Sequence, residues 1–285
     1  MTARRKSKAK SIAIGLGAAT GALALAGLLK KPSSVYRDRP SEQNPMEGKR
    51  VRFARNDSEP VNADGVCGHL EAVGEADLRS SGMYEKYIKR AMDIFLSGLG
   101  MITLSPVLGA VSLAVYLDDP GPVLFTQKRV GKDKRYFELH KFRSMKMSTP
   151  HDVPTHKLEN PEQYITRIGG FLRKTSLDEL PQLFDIWLGN MSIIGPRPAL
   201  WNQDVLISER EKYDANSVSP GLTGLAQISG RDELEIEEKA RIDGEYVKSL
   251  SFDTDLKCFF GTMVAVIKHD GVVEGGTGAM DRSKE

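Results

Sequence analysis

The sequence predicts an α+β fold, mainly helical: a re-entrant helix hairpin in a membrane, joined to a small polar domain with one short β-hairpin and amphipathic interfacial helices. Three observations predict it. An apolar run at residues 91–117 is broken near its middle by Ser105-Pro106 and has bases on both flanks. Two short segments, "PVLFTQKRV" and "RYFELHKF", follow it around a turn-forming tetrad. Beyond them apolar residues recur at helical spacing, most clearly over 254–268.

In chain order, residues 1–31 are basic and apolar by turns. Arg4, Arg5, Lys6, Lys8 and Lys10 precede an uncharged run at 11–29, and Lys30 and Lys31 follow it. That run is about long enough to span a bilayer, but it is rich in Gly and Ala. A signal peptide is the alternative; the following lysines and the lack of a small-x-small cleavage site count against it. Over residues 1–56 the bases face only Asp38, Glu42 and Glu47. A basic arm suits nucleic acid or anionic lipid, and bracketing an apolar run favours lipid. No nucleic-acid motif is present. Residues 32–82 mix charges with Pro, Ser and Gly without a sustained period, and read as a disordered linker.

The hairpin covers about residues 86–117. Lys86, Lys89 and Arg90 precede it, and Lys128, Arg129, Lys132, Lys134 and Arg135 come after. A single kinked span is one reading. Bases on both flanks belong on the cytoplasmic side, however, so both ends share one side and the segment turns back. Pro106 removes a backbone donor at the bend, and Ser105 is placed to satisfy a freed backbone group.

The two strands are joined by Gly131-Lys132-Asp133-Lys134. Residues 148–165, with Pro150, Pro154 and Pro161, form a loop, and helices cover about 178–188, 200–214, 232–250 and 254–268. In the last, Leu256, Phe259, Phe260, Met263, Val264 and Ile267 make an apolar stripe, suited to a core or to a membrane surface. Residues 271–285 form a flexible tail. The two cysteines, Cys67 and Cys258, fit neither a disulfide framework nor a metal cluster, which points to a reducing compartment.

Chemistry concentrates around "TSLDELPQ" at 175–182. Ser176 and Glu179 have the spacing of a capping box, which alone would only start a helix. Around them lie "KFRSM" with Lys141 and Arg143, Arg173-Lys174, "GPRP" with Arg197, and Gly230-Arg231. Pro196 and Pro198 restrict the backbone on both sides of Arg197, which suits bidentate phosphate recognition. Cations around Asp178 and Glu179 at a helix start imply an anionic substrate, with Asp178 kept ionised there and Mg²⁺ as the expected hard cation.

Taken together these motifs resemble the bacterial sugar transferases, polyprenol-phosphate phosphoglycosyl transferases of the monotopic type. The likeness runs from about residue 87 to 267 and includes "KRAMDIF", "DPGPVLFTQKRVG", "FELHKFRSM", "TRIGGFLRKTSLDELPQLFDIWLGNMSIIGPRP", "SPGLTGLAQISGR" and Asp243-x-x-Tyr246. It makes residues 83–270 a catalytic domain facing the cytoplasm at the cytoplasmic membrane. It implies transfer of a sugar 1-phosphate from a UDP-sugar to undecaprenyl phosphate with release of UMP, and downstream glycosyltransferases as partners. Asp178 would be the nucleophile and Glu179 the Mg²⁺ ligand. Arg197 would bind phosphate, with Lys141, Arg143, Arg173, Arg231 and Asp243 in support. Larger members carry several transmembrane helices near the N-terminus, where this sequence shows one candidate helix and a linker. If 11–29 spanned with its basic start inside, the catalytic part would emerge on the wrong side, so the direction of that segment stays open. The rival readings are an idle membrane scaffold and a Mg²⁺-dependent phosphohydrolase.

Cysteines placed before Tyr87 and after Val130 are expected to react with a membrane-impermeant label from the same side. Labelling from opposite sides would establish a true span.

Overall fold

A computed structural model of the chain describes residues 43–76, 79–149, 160–230 and 234–268. The apolar run at 11–29, the tail from 271 and Arg231 lie outside the described residues.

The first described element corrects the linker expectation. Strands β1 (Lys49–Arg55) and β2 (Gly68–Glu75) pair antiparallel. The sequence signal is weak because β1 offers only Val51 and Phe53 among charges. What holds the pair is the surface it docks on. Val51 is buried with Val130, Ala199, Leu206 and Ile207, and Met46 and Leu70 pack beside it. Asn44 Nδ2 donates to the Lys134 carbonyl at 2.6 Å, and Ala63 N–H to the Asn202 carbonyl at 3.0 Å.

A short, wide helical segment (Tyr84–Lys89) leads into α1 (Arg90–Thr103), which is followed by α2 (Ser105–Asp118). The two arms bend by 62° at the expected place. Pro106 lies in the first turn of α2, where its missing N–H costs little. Ser105 Oγ donates to the Ile102 carbonyl at 2.8 Å, the backbone repair that the sequence suggested. Phe95, Ile102, Leu113 and Leu117 are 67, 73, 59 and 70% exposed. Among the described residues no single helix is long and apolar enough to cross a membrane; only the bent pair together meets that requirement.

The polar start of α1 fastens the hairpin to the rest. Lys89 Nζ lies 2.6 Å from Asp255 Oδ2, and Arg90 donates to the carbonyls of Ile186 and Trp187 at 2.7 and 2.8 Å. Asp93 Oδ1 accepts from Ile193 N–H at 2.9 Å and Ser192 Oγ at 3.1 Å.

Strands β3 (Leu124–Val130) and β4 (Tyr136–Phe142) form the expected hairpin, with Phe125 opposite Lys141 and Arg129 opposite Phe137. Its turn holds Asp133 and Lys134 at φ 54° and 65°. Then come α3 (Arg167–Lys174), α4 (Gln182–Leu188), β5 (Ser192–Ile194), α5 (Asp204–Glu211), β6 (Gly221–Thr223), α6 (Leu225–Ser229), α7 (Ile236–Lys248) and α8 (Phe252–Lys268). β5 and β6 are parallel, a pairing too short to read from the sequence. The stripe of α8 is not core: Leu256, Phe259, Phe260, Met263 and Val264 are exposed, while Asp255 and Cys258 face inward.

The N-terminal hairpin also serves α5. Gln203 makes no side-chain cap, and Asp64 Oδ2 supplies it from a distance, accepting from Val205 N–H at 2.8 Å and Leu206 N–H at 3.3 Å. The neighbouring Asp204 carboxyl is pushed up to about 6 by burial and by Asp64. An acid raised in the folded state favours folding while protonated, so stability falls as pH rises from about 4, its unfolded value, to about 6. Asp204→Asn is expected to flatten that slope in the melting temperature relative to wild type and to raise it at neutral pH. An unchanged slope would refute the assignment.

Candidate active site

The dyad lies on a short 3₁₀ turn, Leu177–Glu179, rather than in the expected long helix from 178; α4 begins only at Gln182. Ser176 is not the cap. It has φ 55° and makes no side-chain capping bond, because it sits just past the end of α3 in the left-handed conformation that closes a helix. Its N–H reaches back to the Arg173 carbonyl at 3.2 Å, and its carbonyl accepts from Glu179 N–H at 3.3 Å. Leu177 and Leu180 pack on Leu108, Val111 and Val115 of α2 with Phe142 and Leu172. The turn therefore rests directly on the second arm of the apolar helix hairpin.

Glu179 is held by cations from two other elements. Its Oε1 accepts from Arg197 Nη2 at 2.6 Å and Lys141 Nζ at 3.2 Å, and its Oε2 lies 3.5 Å from Arg197 Nη1. Burial alone would raise its pKa, but Arg197 and Lys141 hold it well below the usual carboxylate range. Asp178 is different. It is 9% exposed, and no hydrogen bond reaches its carboxylate among the described residues. Burial, with Glu179 alongside, raises its pKa against the pull of Lys141, Arg173 and Arg197. Desolvation thus opposes the cations that favour its ionised form. Lys141 is lowered by burial and by Arg197 and Arg129, against Glu179 and Asp178.

Of the expected supporting residues, Lys141, Arg173 and Arg197 converge on the dyad. Arg143 and Asp243 do not. The Arg143 guanidinium is buried on Asp119 at the end of α2, with Nη1 2.8 Å from Asp119 Oδ2, so it ties the hairpin to β4. Asp243 is 1% exposed and takes Arg210 Nε and Nη2 at 2.9 and 2.6 Å. Its effect on the site is relayed: Arg210 Nη2 also donates to the Arg197 carbonyl at 2.9 Å, fixing the backbone of that loop.

Two further groups position the site and were missed. Asp185, fully buried, accepts from His140 Nδ1 at 2.8 Å and from His140 N–H at 3.0 Å, locking α4 to β4. Their spacing of 45 positions carries no local signal. Arg129 lies beside Arg197 and Glu179. Strand alternation was the available clue, because Arg129 and Lys141 share one face of the β-hairpin. The glycines of "GPRP" and "SPGLTG" also gain a reason: a Cβ on Gly221 would meet Gly195 N at 2.1 Å.

Comparison with known proteins identifies relatives of the chain. The family model for bacterial sugar transferase matches residues 84–269. The UDP-glucose:undecaprenyl-phosphate glucose-1-phosphate transferase of Escherichia coli K12 is 42% identical over 185 residues, covering 62% of this chain and 40% of that protein. The exopolysaccharide production protein PSS of Rhizobium leguminosarum bv. phaseoli is 39% identical over 188 residues, covering 62% of this chain and 94% of that protein. The undecaprenyl-phosphate galactose phosphotransferase of Salmonella typhimurium LT2 is 34% identical over 206 residues, with 65% and 42% covered. The chain thus spans about two fifths of the length of the first and third of these relatives.

Asp243→Ala leaves Arg210 buried without its carboxylate, a change that costs about 3–5 kcal/mol for a broken buried pair. A marked drop in melting temperature with loss of activity is the expected result. Loss of activity at unchanged stability would instead place Asp243 at the substrate.

Proposed function

The chain belongs to the bacterial sugar transferase family, and from that premise we propose that it transfers a sugar 1-phosphate from a UDP-sugar to undecaprenyl phosphate, releasing UMP. The activities named for the relatives from Escherichia coli and Salmonella typhimurium support the reaction class. The observation that carries the reading is the pair of unlike carboxylates. Glu179 is committed to Lys141 and Arg197, while the Asp178 carboxylate beside it is buried and accepts no hydrogen bond among the described residues.

In the first half-reaction an Asp178 oxygen bonds to the β-phosphorus as the bond to the bridging oxygen breaks, and UMP leaves with that electron pair. In the second, a phosphate oxygen of undecaprenyl phosphate attacks the same phosphorus and Asp178 is released. The carboxylate splits one hard displacement into two easier ones. Lys141, Arg173 and Arg197 neutralise phosphate charge, and Arg197 is held for this by its proline-restrained loop and by Glu179. The raised Asp178 pKa puts an acid limb on the first step, because only the ionised carboxylate attacks.

Among the described residues no group of three or more His, Cys, Asp or Glu side chains is placed to hold a metal. A Mg²⁺ would therefore rest on Glu179 Oε2, which faces Arg197 Nη1 at 3.5 Å, and on oxygens supplied by the substrate phosphates. When bound, the ion would neutralise phosphate charge. The exposed apolar side chains of α1, α2 and α8 support a domain seated on the cytoplasmic membrane by a re-entrant hairpin. The dyad turn packed on α2 then meets a soluble donor and a lipid-borne acceptor at one surface.

Asp178→Asn is expected to lower UMP release by several orders of magnitude across a panel of UDP-sugars with Mg²⁺ present. Without acceptor, wild type should gain the mass of one sugar phosphate and the variant none. Full activity in the variant would overturn the nucleophile, and accumulation of free sugar phosphate instead of lipid-linked sugar would make the chain a hydrolase.

A further inference from the structure

One cation at the site has no evident task in holding the dyad. Lys141 and Arg197 grip Glu179, and Arg173 Nε donates to Ser144 Oγ at 2.9 Å while its charge acts on Asp178. Arg129 does neither. Its Nη1 donates to the Pro198 carbonyl at 3.0 Å and its Nη2 to Gln127 Oε1 at 2.7 Å. Both acceptors are neutral. Its Nε is buried with no hydrogen-bond partner among the described residues.

A desolvated guanidinium without a carboxylate in contact is costly to maintain. Burial and the adjacent Arg197 lower its pKa to about 9, against the pull of Glu179. The two neutral bonds fix the guanidinium plane and leave Nε–H and further N–H donors for an incoming anion. Four cations, Arg129, Lys141, Arg173 and Arg197, then face two carboxylates. That excess of positive charge suits the diphosphate of a nucleotide sugar.

Position along the cluster separates the two phosphates. Arg129 Nη1 is bonded to the Pro198 carbonyl, on the loop of the Arg197 that grips Glu179, whereas Arg173 and Lys141 act on Asp178. Arg129 is thus fastened to the part of the site that holds Glu179. We propose that Arg129 binds the leaving-group phosphate, the one that departs as UMP, through its free Nε–H edge. This deepens the proposed reaction and rests on it. Pro198 directly follows Arg197 in the chain, so the bond from Arg129 to its carbonyl makes the two arginines a single preorganised cradle.

The test is titration of the full chain in detergent micelles with UMP and with uridine, which differ only in the phosphate. Arg129→Gln should weaken UMP binding about ten- to a hundredfold, the scale of a lost charge-assisted contact, and leave uridine binding unchanged. Arg129→Lys, which keeps the charge but not the fork, should fall between; it carries the same comparison if the glutamine variant does not fold. Unchanged UMP binding in a folded variant overturns the assignment. So does an equal loss for UMP and uridine, which would make Arg129 only a brace for the Pro198 loop. A wild-type chain that binds UMP no better than uridine overturns the reaction as well, so the two failures are distinguishable.

Discussion

Glu179 Oε1 accepts at once from Lys141 on β4 and from Arg197 on the loop after β5, and Glu179 itself stands on the turn that rests on α2. Three separately folded pieces of chain meet at this carboxylate. Removing it would leave two half-buried cations beside each other, with Arg129 close by, so the acid is what allows the positive charge to be gathered here. The same commitment leaves the neighbouring Asp178 as the carboxylate that is not spoken for. The division of labour in the pair follows from which acid the cations reach.

Around that clamp the structure adds rigid supports that never touch the dyad. Arg210, held by Asp243, fixes the Arg197 carbonyl, and Asp185, through His140, fixes α4 to β4. Buried ion pairs are expensive, and breaking one is worse than never having it. A loop held by such a pair has one position. The start of α1 works similarly: Lys89, Arg90 and Asp93 each bond to a different element, which sets where the apolar hairpin leaves the polar domain. Bent by 62° and anchored at one polar end, the hairpin has a defined direction relative to the site.

Much of the architecture was legible because its signals are local. The Ser-Pro break, the strand pair around the Gly131–Lys134 turn and the helix near 254–268 all depend on residues a few positions apart. Where the reading failed, a distant partner had won. Ser176 has the spacing of a cap but is used to close the helix before it. Asp243 looked like a site residue and is a buried counter-ion for Arg210. The segment at 49–75 looked like linker because the apolar surface it docks on, Val130 of β3 with Leu206 and Ile207 of α5, lies far away in the chain.

The sequence by itself determined the acidic pair, the cationic motifs around it and the Ser-Pro break of the apolar hairpin, since each is a short pattern whose chemistry does not depend on the rest of the chain. Tertiary structure alone decided which cation serves which acid. Arg143 turned to Asp119, Arg197 and Lys141 turned to Glu179, and Arg129 was brought beside them from the opposite strand. The physical reason is that charge interactions act through space over a few ångströms, and distance along the chain does not report that separation.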